Sequence, residues 1–208
     1  MTLARRALLF GPVASFGLLA LGSVDVWAGS QVEEPLADAV RSALVAAVAE
    51  AAPPRPRFNN MDDRLAYLRW LGSASERLKK RQTENHTRVE FLEAVWYESR
   101  RAGLETALVL GLIQVESGFR KYAISSAGAR GYMQVMPFWA RLIGNSDERR
   151  LFHLQTNLRF GCTILRHYLD RERGDVFMAL GRYNGSRGKP EYPSAVFGAR
   201  RVWDVPTA

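Results

Sequence analysis

Apolar residues along most of the chain recur at helical intervals, and the alternation expected of strands is nearly absent. Leu65, Leu68, Leu71 and Leu78 share one helical stripe, with Asp62 and Asp63 placed to cap it and arginine and lysine on the other side. Residues 83–87 offer caps for a second helix through Phe91, Leu92, Val95 and Trp96, closing at Gly103. A third helix spans about 105–117, and further helices are predicted at 133–143, 155–173, 176–182 and 191–203. No repeat of fixed period is present, so the pattern predicts one mainly α-helical domain rather than a solenoid.

The first part of the chain reads differently. Arg5 and Arg6 precede an apolar run over residues 7–24, and Val26, Trp27 and Ala28 follow with the residue sizes a signal peptidase reads. This predicts an export signal cleaved near Ala28, the alternative being an uncleaved anchor. Residues 33–52 are rich in alanine and end in "AAPPRPRF", which reads as a short helix or stalk followed by a stiff proline linker. The expected organisation is a signal peptide (1–28), a stalk or linker (29–58), a helical extension (59–84) and a catalytic domain (85–208). A partner protein of the cell envelope could engage residues 29–58.

The 208 residues carry a formal net charge of +8, which predicts attraction to polyanions. The basic residues have no interleaved aromatic platform, so nucleic acid is not the expected partner, and an acidic wall polymer suits an exported, periplasmic protein better. Cys162, the only cysteine, cannot form an internal disulfide and reads as a buried apolar residue; none follows the leader to accept a lipid. His86, His153 and His167 lack ligand-like spacing, so no metal and no cofactor is expected.

Candidate chemistry begins with "LGLIQVESGF", residues 110–119, an apolar run that ends on Glu116. A carboxylate placed among Leu112, Ile113 and their neighbours loses hydration, its pKa rises, and it can keep a proton near neutrality as a general acid does. The plainer alternative is a glutamate at a helix end that faces water or pairs with Arg120 or Arg130. Two further patches bear on the choice. In "SSAGARGYMQVMP", residues 125–137, Gly128 and Gly131 permit a tight backbone that a polymer could approach. In "ALGRYNGSRGKPEYP", residues 179–193, Tyr183 and Asn184 lie between a helix and a loop containing glycine.

Taken in order, Glu116-Ser117, Gly131-Tyr132-Met133-Gln134, Tyr183-Asn184 and Tyr192-Pro193 closely resemble the family 1, soluble-type lytic transglycosylases, whose catalytic domain is similar to goose-type lysozyme. The resemblance runs from about His86 to Trp203 and includes "TNLRFGCTIL". It departs at Tyr132, where the family has leucine, and at Arg182, where the family has a small residue. An all-α, lysozyme-like domain is the fold it implies. Glu116 would be the catalytic acid and base, followed by Ser117 as its partner residue. Ser125 matches a hydroxyl near the reacting sugar, Tyr183 the tyrosine hydrogen-bonded near the glutamate, and Asn184 a supporting neighbour. Gln134 and Met136, with Gly131, Met133 and Tyr192, fall in the set implied to contact the glycan.

The reaction implied is cleavage of the β-1,4 bond between N-acetylmuramic acid and N-acetylglucosamine in peptidoglycan by a monomer, leaving a 1,6-anhydro end. Most glycosidases use two carboxylates. Here Asp147, Glu148 and Asp175 read as loop or cap residues, so one glutamate would act twice, the substrate's acetamido group assisting in between. A hydrolytic muramidase of the same fold would need a second carboxylate for water. A peptidoglycan-binding module without catalysis could keep the groove, and a basic nucleic-acid binder would explain only the charge.

Overall fold

A computed structural model describes residues 31, 33–49, 56–144 and 146–204. The predicted export signal lies outside these residues. The described part contains α1 (Asp38–Ala49), α2 (Met61–Leu78), α3 (Asn85–Arg101), α4 (Thr106–Ser117), α5 (Pro137–Ile143), a 3₁₀ segment (Glu148–Phe152), α6 (Leu154–Arg171), α7 (Val176–Asn184) and α8 (Glu191–Trp203). The fold is all-α. Two isolated antiparallel bridges, Ile124 to Arg130 and Arg130 to Val135, stand in for any sheet among the described residues.

Helix α4 lies at the centre because it is apolar on nearly every side. Residues 107–113 are all buried, as are Glu116 and Ser117. Gly111 lets α8 cross closely, since a Cβ there would meet the Arg200 backbone nitrogen at 2.7 Å. The two helices run antiparallel: Arg200 pairs with Glu105 just before the start of α4, while Tyr192 reaches Glu116 at its far end. Gly118 closes α4 in the left-handed conformation at φ 58, and Phe119 follows at φ 68. Under α3 and α6, the fully buried Glu98 accepts from Arg101 at 2.8 Å and from Arg159 at 2.8 and 3.1 Å, so its charge is matched from two sides.

Several sequence expectations are corrected. The leucine stripe of α2 is buried only in its second half: Leu65 and Leu68 are 41% and 48% exposed, whereas Leu71 packs on the core and Leu78 is buried together with Tyr67, Ala74 and Ser75. Aromatic packing turns the helix, with Tyr67 edge-on to Trp96 at 5.0 Å and beside Phe58 at 5.0 Å. Its cap is Asn60, whose side chain accepts from the Asp63 amide at 2.8 Å, while Asp62 and Asp63 occupy the first turn. No side chain caps α3; the preceding turn is held by buried Arg88, which donates to the Gln82 carbonyl, the Ser75 hydroxyl and Asn85. Helix α5 starts at Pro137 rather than at 133, because Gln134 has a φ of 49 and proline suits a first helical position.

The segment read as a stalk carries a helix that packs on the domain. Helix α1 lies against α5 and α6, buries Leu44, and receives the Arg101 guanidinium on the Ala47 carbonyl at 2.9 Å. Ahead of it, Glu33 pairs with Arg141, and Glu34 with Arg171 and Arg182. Gln31 accepts from the Trp139 indole at 3.0 Å and donates to the Tyr183 carbonyl.

Candidate active site

The last turn of α4 carries Glu116 into the interior, where the residue is 1% exposed. Its Oε1 accepts the Tyr192 hydroxyl at 2.5 Å, and its Oε2 is buried without a protein partner. Loss of water pushes the carboxyl up to about 8, the Tyr192 bond pulling the other way by less. Neither arginine of the plainer reading reaches it: Arg120 donates to the Ser117 carbonyl and Arg130 pairs with Glu148. Burial without a countercharge therefore favours the protonated form of Glu116 near neutral pH.

Tyr192 sits in the first turn of α8, next to Pro193 and fully buried. The close crossing at Gly111 fixes α8 against α4 and so brings this hydroxyl to the acid. The sequence placed Tyr183 near the glutamate and Tyr192 among the glycan contacts; in the structure the hydroxyl that bonds Glu116 is that of Tyr192. Tyr183 is buried near enough to feel the charge of Glu116, yet its hydroxyl donates to the Met133 carbonyl at 2.8 Å.

The second motif is a folded knot rather than an open floor. Asn157 accepts from the Met133 amide at 2.8 Å and donates to the carbonyls of Arg130 and Leu151 at 2.8 and 2.7 Å. Gly131, at φ 75, is closed by that same side chain: a Cβ would meet Asn157 Nδ2 at 2.4 Å. Met133 is fully buried against Gly161. In this conformation neither Gly131 nor Met133 is a surface for glycan, contrary to the sequence reading. Asn157 is the residue that reading undervalued.

Gln134 is 3% exposed; its amide donates to the carbonyls of Ala123 and Gly131 at 3.1 and 2.9 Å, and its Oε1 is buried with no protein partner. Ser125 accepts from the Ala129 amide at 3.0 Å and closes the turn containing Gly128. The Ser117 hydroxyl bonds back to the Ile113 carbonyl at 3.2 Å. Asn184 is buried at the end of α7, and Met136 is half-buried before α5. Asp147 and Asp175 cap the 3₁₀ segment and α7, and Glu148 pairs with Arg130 and Arg141.

The three motifs are thus tied into one site by Tyr192 to Glu116 and by Tyr183 to Met133. Against known proteins, residues 93–195 match the Transglycosylase SLT domain. The chain carries a transglycosylase SLT domain. Among relatives of the SLT domain, a stretch of 92 residues, 39% of this chain, is 39% identical to 26% of membrane-bound lytic murein transglycosylase C of Mannheimia succiniciproducens. Over 122 residues it is 34% identical to the protein of that name in Histophilus somni strain 2336, matching 50% of this chain and 34% of the relative. A transglycosylase of Enterobacteria phage PRD1 is 32% identical over 104 residues, with 50% and 38% of the two chains covered. The chain therefore spans well under half the length of these relatives. An X-ray structure of an inactive mutant of lytic transglycosylase Slt from Pseudomonas aeruginosa aligns with 68% of this chain and 27% of that one, at 21% identity and a TM-score of 0.44.

Proposed function

We propose that this SLT domain is a peptidoglycan lytic transglycosylase in which Glu116 is both acid and base. The observation that carries the reading is Glu116 itself, buried without a countercharge, bonded to the Tyr192 hydroxyl through one oxygen and unpartnered at the other, a setting that favours the protonated acid. With Oε1 held by Tyr192, Oε2 is the oxygen left to carry the proton. Since Oε2 is covered, glycan binding moves the covering atoms aside.

Oε2 protonates the glycosidic oxygen between N-acetylmuramic acid and N-acetylglucosamine, and the C1–O bond breaks. The substrate's acetamido oxygen takes the electron-poor C1, in the place of a nucleophilic carboxylate. Ionised Glu116 then removes the proton of the 6-hydroxyl, whose oxygen attacks C1 and displaces the acetamido oxygen, closing the 1,6-anhydro ring and restoring the acid. Ionised Glu116 is stabilised by the hydrogen bond from Tyr192. The Met133 to Asn157 knot holds the Tyr183 hydroxyl, and Met136 remains the half-exposed member of the glycan-contacting set.

The reading places the protein at the cell wall, in keeping with the membrane-bound names of the relatives and with the leader-like residues 1–28. Among the described residues no helix is long and apolar enough to cross a membrane. Mass spectrometry of peptidoglycan digested by the full chain, beside Glu116→Gln, tests the chemistry. Muropeptides with 1,6-anhydro-muramic acid ends, lost in the variant, are expected. Reducing ends would show a hydrolase, and intact glycan would show a binding module.

A further inference from the structure

The chain between Glu116 and the second motif alternates in exposure. Tyr122 is 70% and Ile124 64% exposed, whereas Ala123 and Ser125 between and after them are buried. Such alternation turns two large apolar side chains outward on one side of the segment. Single exposed apolar residues are ordinary on a protein surface, but this pair is built in. The Ala123 carbonyl accepts from the Gly131 amide at 2.9 Å and from the Gln134 side chain at 3.1 Å. Ile124 bridges to Arg130. Phe152 backs the Tyr122 ring, centroid to centroid 6.0 Å at 47°, and is itself covered by the Arg130 guanidinium at 5.8 Å. The outward pair is thus anchored to the same knot that receives the Tyr183 hydroxyl on the Met133 carbonyl.

Lys121 stands beside the ring, its Nζ 5.4 Å from the Tyr122 centroid, with no carboxylate partner among the described residues. Arg130, by contrast, is already matched by Glu148 at 3.1 Å. An ordered, exposed aromatic flanked by an unspent cation fits a ligand with an apolar face and a negative charge. A pyranose has such a face in its axial C–H groups, and a muramic acid strand has carboxylates on its stem peptides, or on the lactyl group where the peptide has been removed.

We propose that Tyr122 and Ile124 form a stacking subsite for a pyranose ring of the glycan strand, with Lys121 holding a carboxylate of the same strand. The subsite deepens the transglycosylase reading and rests on it for the identity of the polymer. Ring and cation act on binding, so they set KM rather than kcat.

The test uses two ligands with the full chain: peptidoglycan sacculi, for kcat and KM, and a neutral hexamer of N-acetylglucosamine, for Kd by calorimetry. Tyr122→Ala is expected to raise KM and the hexamer Kd roughly tenfold, the loss of one anchoring aromatic contact, with kcat within about twofold. Tyr122→Phe retains the ring and is expected to behave as the wild type. Lys121→Gln raises KM on sacculi while leaving the Kd for the uncharged hexamer unchanged. Wild-type values for Tyr122→Ala on both ligands, with sacculi still cleaved, would overturn the subsite and leave the transglycosylase reading standing. Weakened hexamer binding by Tyr122→Ala in a chain that cleaves nothing would keep the subsite and sink the catalytic reading. A change in kcat alone would overturn the stacking role.

Discussion

Replacing Glu116 by glutamine should stabilise the protein while abolishing its proposed activity, and the stabilisation should depend on pH in a way only a buried acid explains. Folding raises the carboxyl from 4.5 to about 8, so between those values the folded chain binds a proton that the unfolded chain releases. Wild-type stability from this group is full below about 4.5, falls as pH rises, and levels off above about 8. Each pH unit inside the window costs about 1.4 kcal/mol, on the order of 5 kcal/mol across all of it. Glutamine is neutral throughout, keeps an acceptor for the Tyr192 hydroxyl, and fills the same volume. The two proteins should therefore melt together near pH 4 and diverge by roughly 10 °C near pH 9. Differential scanning calorimetry of both, from pH 4 to 9, measures this. A difference in Tm that stays constant with pH would show that Glu116 is ionised and solvated in the folded state, and the residue could not then serve as the general acid.

Three further outcomes follow from the geometry. Tyr192→Phe removes a hydroxyl that favours the ionised acid, so the alkaline limb of the kcat profile should move to higher pH, with kcat itself down roughly tenfold to a hundredfold. Gly111→Ala puts a Cβ 2.7 Å from the Arg200 backbone, where no flexible side chain can yield, and urea unfolding should report a loss of about 1–3 kcal/mol. Asn157→Ala strips partners from the Met133 amide and from the carbonyls of Arg130 and Leu151, and should lower unfolding stability by about 3 kcal/mol.

The helices were legible because each is long enough for its period to show, and Glu116 because an acid inside so apolar a run must either hold its proton or find a buried partner. Which face of α2 turns inward was not legible. Leu65, Leu68, Leu71 and Leu78 offered an apolar stripe, yet Leu65 and Leu68 stay exposed, and only the partners, Trp96 and Phe58, show that Tyr67 turns inward. Periodicity reports that a helix has an apolar side, but when aromatic residues lie off that side the choice belongs to tertiary packing. The docking of helix α1 on the domain escaped for a related reason. Its small alanines give little hydrophobic signal, while its attachment depends on distant charges such as Arg101 and Arg171.

The site shows a sharper limit. The bond that defines it joins residues 76 apart, and nothing local distinguishes Tyr192 from Tyr183 as the partner of Glu116. Both are buried tyrosines near the same charge; what separates them is that α8 crosses α4 at Gly111 while α7 faces the Met133 carbonyl. The glycines and methionine of the second motif invite a reading as substrate contacts because they cluster beside the acid in sequence. Their neighbours account for them without substrate: Asn157 fills the space a side chain on Gly131 would need, and Met133 fills the space left by Gly161. A motif shared with glycan-cleaving enzymes therefore mixes two kinds of residue, those that meet the polymer and those that hold the acid. Burial separates them, and it leaves half-buried Met136 and the outward pair Tyr122 and Ile124 as the members of the proposed glycan surface that solvent can reach.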